Sequence, residues 1–182
     1  ANDSFPSNAL FIVDQSKSMF FGSQKKTKSV VAAEIAALTA FKVLKEGDRV
    51  GGVVFADNGI DIIYPKRDRK NILRFLEKIV TRNRELIDSE PMEFEKALNT
   101  VLSKVKNIVT HDFLVVIISD FNRYNPDLIK FISRLSLHND VILTKVYDPM
   151  EKMIPQTKII AGDTKRQLLL DGDERKLRDR FE

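Results

Sequence analysis

Leu10-Phe11-Ile12-Val13-Asp14-Gln15-Ser16-Lys17-Ser18 is the stretch whose reading decides the fold. An apolar run of strand length stops at an acid, and two hydroxyls follow at alternate positions. A buried strand that ends this way sets three hard oxygens, those of Asp14, Ser16 and Ser18, at one edge of a sheet. Hard oxygens on a short loop suit Mg²⁺ or Mn²⁺, and Mg²⁺ in particular keeps octahedral geometry and several waters. The rest of the chain completes such a site or frames it.

Outward from that stretch, the first strand is expected at Ala9 to Val13. From Lys25 to Lys45 the apolar residues follow helical spacing on most of the surface, as in a largely buried helix, and Gly47 suits its left-handed stop. Arg49 to Ala56 reads as a second strand, Asn58-Gly59 as a hairpin turn, and Ile60 to Tyr64 as the returning strand, closed by Pro65. Asp68 caps a helix running to about Thr81, and the polar stretch from Asn83 to Glu90 reads as a loop. Pro91 suits a first helical position, followed by Phe94, Ala97, Leu98, Val101, Leu102 and Val105 at helical spacing. Phe113 to Ser119 is a continuous apolar run, the pattern of a central parallel strand, and it stops at a second acid, Asp120. A helix from Asn125-Pro126, a strand at Asp140 to Tyr147, short strands at Lys158 to Ala161 and Gln167 to Leu170, and a charged helix from Glu174 complete the reading.

Strands alternating with helices imply an α/β fold: a three-layer, Rossmann-like, mostly parallel sheet with one antiparallel edge strand and helices on both faces. Ligands bind such sheets beyond the carboxyl ends of the strands, where strand order reverses. Asp14 and Asp120 both stand at strand carboxyl ends, and adjoining strands would set them on one edge. In an isolated Asp-x-Ser-x-Ser, helix capping and turn amides are the commoner use of these side chains. The preceding strand and the second strand-end acid tip the reading toward a cation site. The cluster Lys25, Lys26 and Lys28 reads as a solvated helix start, His111 and His138 as ordinary surface residues. Of Phe20 and Phe21, one is expected to pack beneath the site.

The totals agree with an ordinary globular domain. The 182 residues make one domain, with a leader at 1–8 and a C-terminal extension at 148–182. Thirty Lys and Arg face 26 Asp and Glu, a mixed surface with net charge +4 that gives little support for nucleic acid as a partner. There are no cysteines, so no disulfide framework or thiolate metal site is possible, and a cytoplasmic location fits. No apolar run has membrane-spanning length. The chain starts almost directly on its first strand, which reads as a piece of a longer protein that can itself be membrane-anchored.

The run Val13 to Gly22, with Gly47-Asp48-Arg49-Val50-Gly51, Ile118-Ser119-Asp120-Phe121 and Asp148-Pro149-Met150-Glu151 followed by Pro155, resembles the bacterial "domain of unknown function 58" family, a branch of the von Willebrand factor A fold. The resemblance runs from about Leu10 to Phe181. It implies a metal-dependent adhesion site in which Asp14, Ser16, Ser18 and Asp120 are the metal residues. It also implies a non-enzymatic protein-interaction module that works with a MoxR-type AAA+ ATPase, or its client, in chaperone-like assembly; neutral serine ligands would leave the metal enough charge to engage an acidic side chain of that protein partner. One position departs from the pattern: where the family fold supplies a threonine ligand, this chain has Met92, a poor ligand for Mg²⁺. Two other readings compete. A Mg²⁺-dependent phosphatase or nuclease would use the same acids but normally wants more carboxylates and a general base. A degenerate, metal-free structural domain would take its support from Met92.

Overall fold

The strand Asn8–Asp14 (β1) runs through the middle of a five-stranded sheet. The computed structural model describes residues 8–87, 94–123, 125–151, 158–162 and 167–171. On one side β1 pairs in parallel with β2 (Arg49–Ala56), on the other with β4 (Phe113–Ser119), so that Val13 lies between Val54 and Ile118. Beyond β4 lies β5 (Asp140–Lys145), also parallel; beyond β2 lies the antiparallel β3 (Gly59–Lys66). The order β3-β2-β1-β4-β5 places the reversal of strand order at β1.

Alternate side chains of β1 feed two cores. Ala9, Phe11 and Val13 pack with α1 (Lys28–Lys45) and α2 (Arg69–Glu85), while Leu10 and Ile12 pack with α3 (Phe94–Ile108) and α4 (Pro126–Leu135). Burial on both faces is why β1 and β4 are apolar throughout rather than alternating. Gly52 on β2 faces the Phe75 ring so closely that an added Cβ would stand 2.1 Å from it. The glycine is there to let an aromatic ring of α2 lie on the sheet. The α/β class and the helices on both faces agree with the sequence reading.

Several boundaries differ from it. α1 begins at Lys28, not Lys25, and touches the sheet through a stripe of Ala32, Ala36, Ala40 and Val43; Leu38 is exposed. The hairpin turn is Asp57-Asn58, with Gly59 at φ 145° opening β3. Pro65 does not end β3 but lies within it, tolerated because β3 is an edge strand. α2 continues to Glu85, into the start of the polar stretch read as a loop, because Arg82 reaches back to Asp61 on β3 at 2.7 Å and Asn83 donates to Gln15 at 2.9 Å. β5 stops at Lys145. Lys158–Gly162 (β6) and Gln167–Asp171 (β7) form a separate antiparallel pair. Pro91, Met92 and the helix expected from Glu174 lie outside the described residues. Among the described residues no helix is long and apolar enough to cross a membrane.

Candidate functional site

Three acids stand at the carboxyl ends of three adjoining strands: Asp57 after β2, Asp14 at the end of β1 and Asp120 after β4. They are 1%, 2% and 2% exposed. The parallel register that sets Val13 opposite Ile118 brings Asp14 and Asp120 to the same edge.

Asp14 is bonded on both oxygens. Oδ1 accepts the Ser16 amide at 2.8 Å, and Oδ2 accepts the Ser119 hydroxyl at 2.6 Å. Burial pushes its pKa up to about 6; the Ser119 and Ser16 hydrogen bonds oppose the rise, and the Asp120 charge adds to it. Asp120 accepts the Asn122 amide at 3.0 Å on Oδ1. The helix caps lie elsewhere: Thr27 holds the N-cap position of α1, and the Asn125 side chain caps α4. Neither strand-end acid is a helix cap, though each accepts the backbone amide two residues further on, as turn acids do.

The loop after β1 is fixed from several directions. Gln15 is buried, donates to the Ser29 carbonyl at 3.0 Å and receives Asn83 from α2. Asp57 accepts the Lys17 amide, which lies between the two serines, and pairs with Arg123 from the β4–α4 loop at 3.5 Å. The Lys17 ammonium donates to the Leu86 carbonyl at the end of α2. So constrained, the Ser16 and Ser18 hydroxyl oxygens lie 3.2 Å apart. Across the edge, Phe121 follows Asp120 at φ 54°, an uncommon backbone for an aromatic residue, with its amide on the Ser119 hydroxyl at 3.1 Å. Ser119 thereby links the Asp14 carboxylate to the loop that carries Asp120.

Two expectations fail here. Lys28 is not a solvated helix start: its side chain is 3% exposed, and its ammonium lies 2.8 Å from Asp120 and 2.5 Å from Glu151. Burial alone would lower the Lys28 pKa, but the bonds to Asp120 and Glu151 outweigh it and hold the group above its ordinary value. Neither Phe20 nor Phe21 packs beneath the site. Both are about two-fifths exposed and flank it, while Met19 takes the buried position. Just after the two phenylalanines, Ser23 donates its hydroxyl to Asp148 at 2.5 Å, and Asp148 also accepts the Ser23 and Met150 amides at 2.8 and 2.9 Å. The Ser23 hydroxyl is the main cause holding the Asp148 carboxyl below its usual range.

The residues present fit a hard divalent cation in part. Octahedral bonds of about 2.0–2.1 Å put neighbouring ligand oxygens about 3 Å apart, close to the serine spacing. Asp14 is a buried acid whose two oxygens are held by the Ser16 amide and the Ser119 hydroxyl. Asp120 already holds an ammonium. Among the described residues no group of three or more His, Cys, Asp or Glu is placed to hold a metal, so any ion here would depend on the serine oxygens. Beside the acids opens a cleft of about 520 Å³, its solvent-open part included, between α3 and α4. Phe55, Val101, Ile117 and Phe131 make its apolar lining, and Asp14, Ser18, Asp120 and Arg123 also line it.

The fold gathers Asp14, Ser16, Ser18 and Asp120, the residues expected from the sequence, at this edge. That expectation missed Asp57, Ser119 and Lys28. Asp57 was hidden in a hairpin signal and Ser119 at the end of an apolar run; only their strand-end positions marked them.

The family described as "Protein of unknown function DUF58" matches residues 5–182. No curated protein matches the chain. Among solved structures, the conserved hypothetical protein BatB from Bacteroides thetaiotaomicron superposes with a TM-score of 0.57 at 14% identity, covering 96% of this chain and 84% of its own. An aerotolerance-related membrane protein from Bacteroides fragilis gives 0.49 at 14% identity, over 92% of this chain and 82% of that one. The VWA domain of SpRpn10 gives 0.41 at 14% identity, over 78% and 89%. At such identity the likeness to BatB concerns the fold alone.

Proposed function

From a chain that belongs to the DUF58 family of proteins of unknown function and is built on a von Willebrand factor A-like sheet, we propose a protein-interaction module that engages an acidic side chain of its partner through a divalent cation. The observation that carries this reading is Asp14: a buried carboxyl with a raised pKa, at the point of strand reversal, next to two hydroxyls 3.2 Å apart. Asp14, Ser16, Ser18 and Asp120 would hold Mg²⁺ or Mn²⁺. Neutral hydroxyl ligands leave such an ion enough charge to attract a further carboxylate. The chain's own groups do the rest. Asp57 and Gln15 keep the serine loop in place, Ser119 orients Asp14, and Phe20 and Phe21 offer an apolar rim. The cleft between α3 and α4 gives an apolar side chain next to the partner's acid a place to sit. The family resemblance points to a MoxR-type AAA+ ATPase, or its client, as that partner.

The test is capture of partner proteins by the full chain with and without chelator. Asp14→Ala is expected to abolish capture while the circular dichroism stays unchanged. Capture that survives both chelator and Asp14→Ala would overturn the reading. A metal-free structural domain is the second reading, favoured by the ammonium already seated on Asp120. Mn²⁺ titration calorimetry separates the two. A Mg²⁺-dependent hydrolase has less support, because His111 and His138 precede β4 and β5 and so lie toward the opposite edge of the sheet.

A further inference from the structure

A lysine ammonium is costly to bury unless it is paired. The Lys28 ammonium is paired twice, with Asp120 and with Glu151 of the turn Pro149–Glu151 that follows β5. The two acids differ in setting. Asp120 is 2% exposed and belongs to the candidate cation site, whereas Glu151 is 28% exposed and lies outside it. Asn122 leans on both, at 3.2 Å from Asp120 and 3.4 Å from Glu151, so the β4–α4 loop follows the same pairing.

We propose that Lys28 is an internal cation that competes with the divalent ion for Asp120, and that Glu151 is the seat to which its ammonium retires when the ion takes Asp120. This rests on the metal reading above. Without the ion the ammonium balances Asp120 and keeps the strand-end loops assembled. With it, Asp120 turns to the ion and Lys28 keeps a partner in Glu151, so the buried ammonium is paired in both states. Ion occupancy is thereby coupled to the position of the loop bearing Asn122 and Arg123, which borders the cleft. Lys28 then has two paired positions, and the site is more than a seat that is empty or full.

The experiment is Mn²⁺ titration calorimetry on the full chain, comparing the native protein with Lys28→Met and Glu151→Gln. Lys28→Met is expected to bind Mn²⁺ about tenfold more tightly, since the competitor is gone. Glu151→Gln is expected to bind several-fold more weakly, since the ammonium loses its second seat and stays on Asp120. Both changes should persist in about 0.5 M KCl, where the screening length is about 4 Å. Weakening in both variants would mean that Lys28 only positions Asp120 and would overturn the proposal, as would changes that vanish in salt. Should Lys28→Met fail to fold, Glu151→Gln remains, together with the ¹⁵Nζ resonance of Lys28 in the native chain. Mg²⁺ saturation should move that resonance, and a signal that stays still overturns the proposal. Binding by the native protein that Lys28→Met does not tighten sinks the competition alone. Binding by Lys28→Met but not by the native protein sustains the competition and rejects a native metal-dependent function. Binding by neither rejects both.

Discussion

Asp14 is buried at 2% exposure, and that burial pushes its carboxyl up to about 6. A group whose folded pKa exceeds its unfolded value contributes stability that is fully present below the unfolded pKa and is lost as pH rises through the folded one. For Asp14 that window runs from about pH 4 to about pH 6. Asp14→Asn keeps the shape and the bond from Ser16 while removing the charge. It should raise metal-free stability at pH 8 by about 2–3 kcal/mol, on the order of two pKa units, and change it little at pH 4. Urea denaturation at the two pH values checks this, and the same variant should lose any stabilisation by Mg²⁺. The spacing of Asp14, Ser16 and Ser18 after an apolar strand was plain in the sequence. Lys28 was not, because the acids that bury it lie 92 and 123 residues further along. Nor can local spacing tell which of Met19, Phe20 and Phe21 turns inward at a short 3₁₀ turn; the methionine does.

At the scale of elements, the loop from Gln15 to Met19 is held by strands and helices that are distant in sequence. Asp57 takes the amide between the two serines, and Asp57→Ala should weaken Mn²⁺ binding about tenfold while the fold persists. Calorimetry together with far-ultraviolet circular dichroism measures both. On β2, Gly52→Ala should destabilise the domain by about 1–3 kcal/mol, because the new methyl meets the Phe75 ring. Thermal melts test that cost, and Phe75→Leu in the same chain should recover part of it. Element types were readable wherever a local signal was strong: Asn125-Pro126 opened α4 and the Val/Ile run gave β4. The end of α2 was hidden because its last turn is polar and is kept helical by Arg82 pairing across to Asp61 on β3, a contact invisible to any local window.

For the whole molecule, the sheet predicts a gradient of local stability. β1 has neighbours on both sides and cores on both faces, so its amides should exchange with solvent slowest. Among the described residues β5 pairs with β4 alone in the sheet and exposes Ile142 and Leu143, so its amides should exchange faster. Native-state hydrogen exchange would refute this if β5 were protected as well as β1. Fold class was legible because the alternation of strand and helix patterns leaves few topologies, whereas the antiparallel pairing of β6 with β7 apart from the main sheet was not specified by their short apolar runs. The central place of β1 also bears on synthesis. Its second neighbour is about a hundred residues away, since Val13 pairs with Ile118. At about 5–20 residues per second, a ribosome would leave the sticky segment Leu10 to Val13 without its β4 neighbour for about 5–20 s. Nascent copies on one message would then be vulnerable to tangling with each other, and slower translation would lengthen that interval.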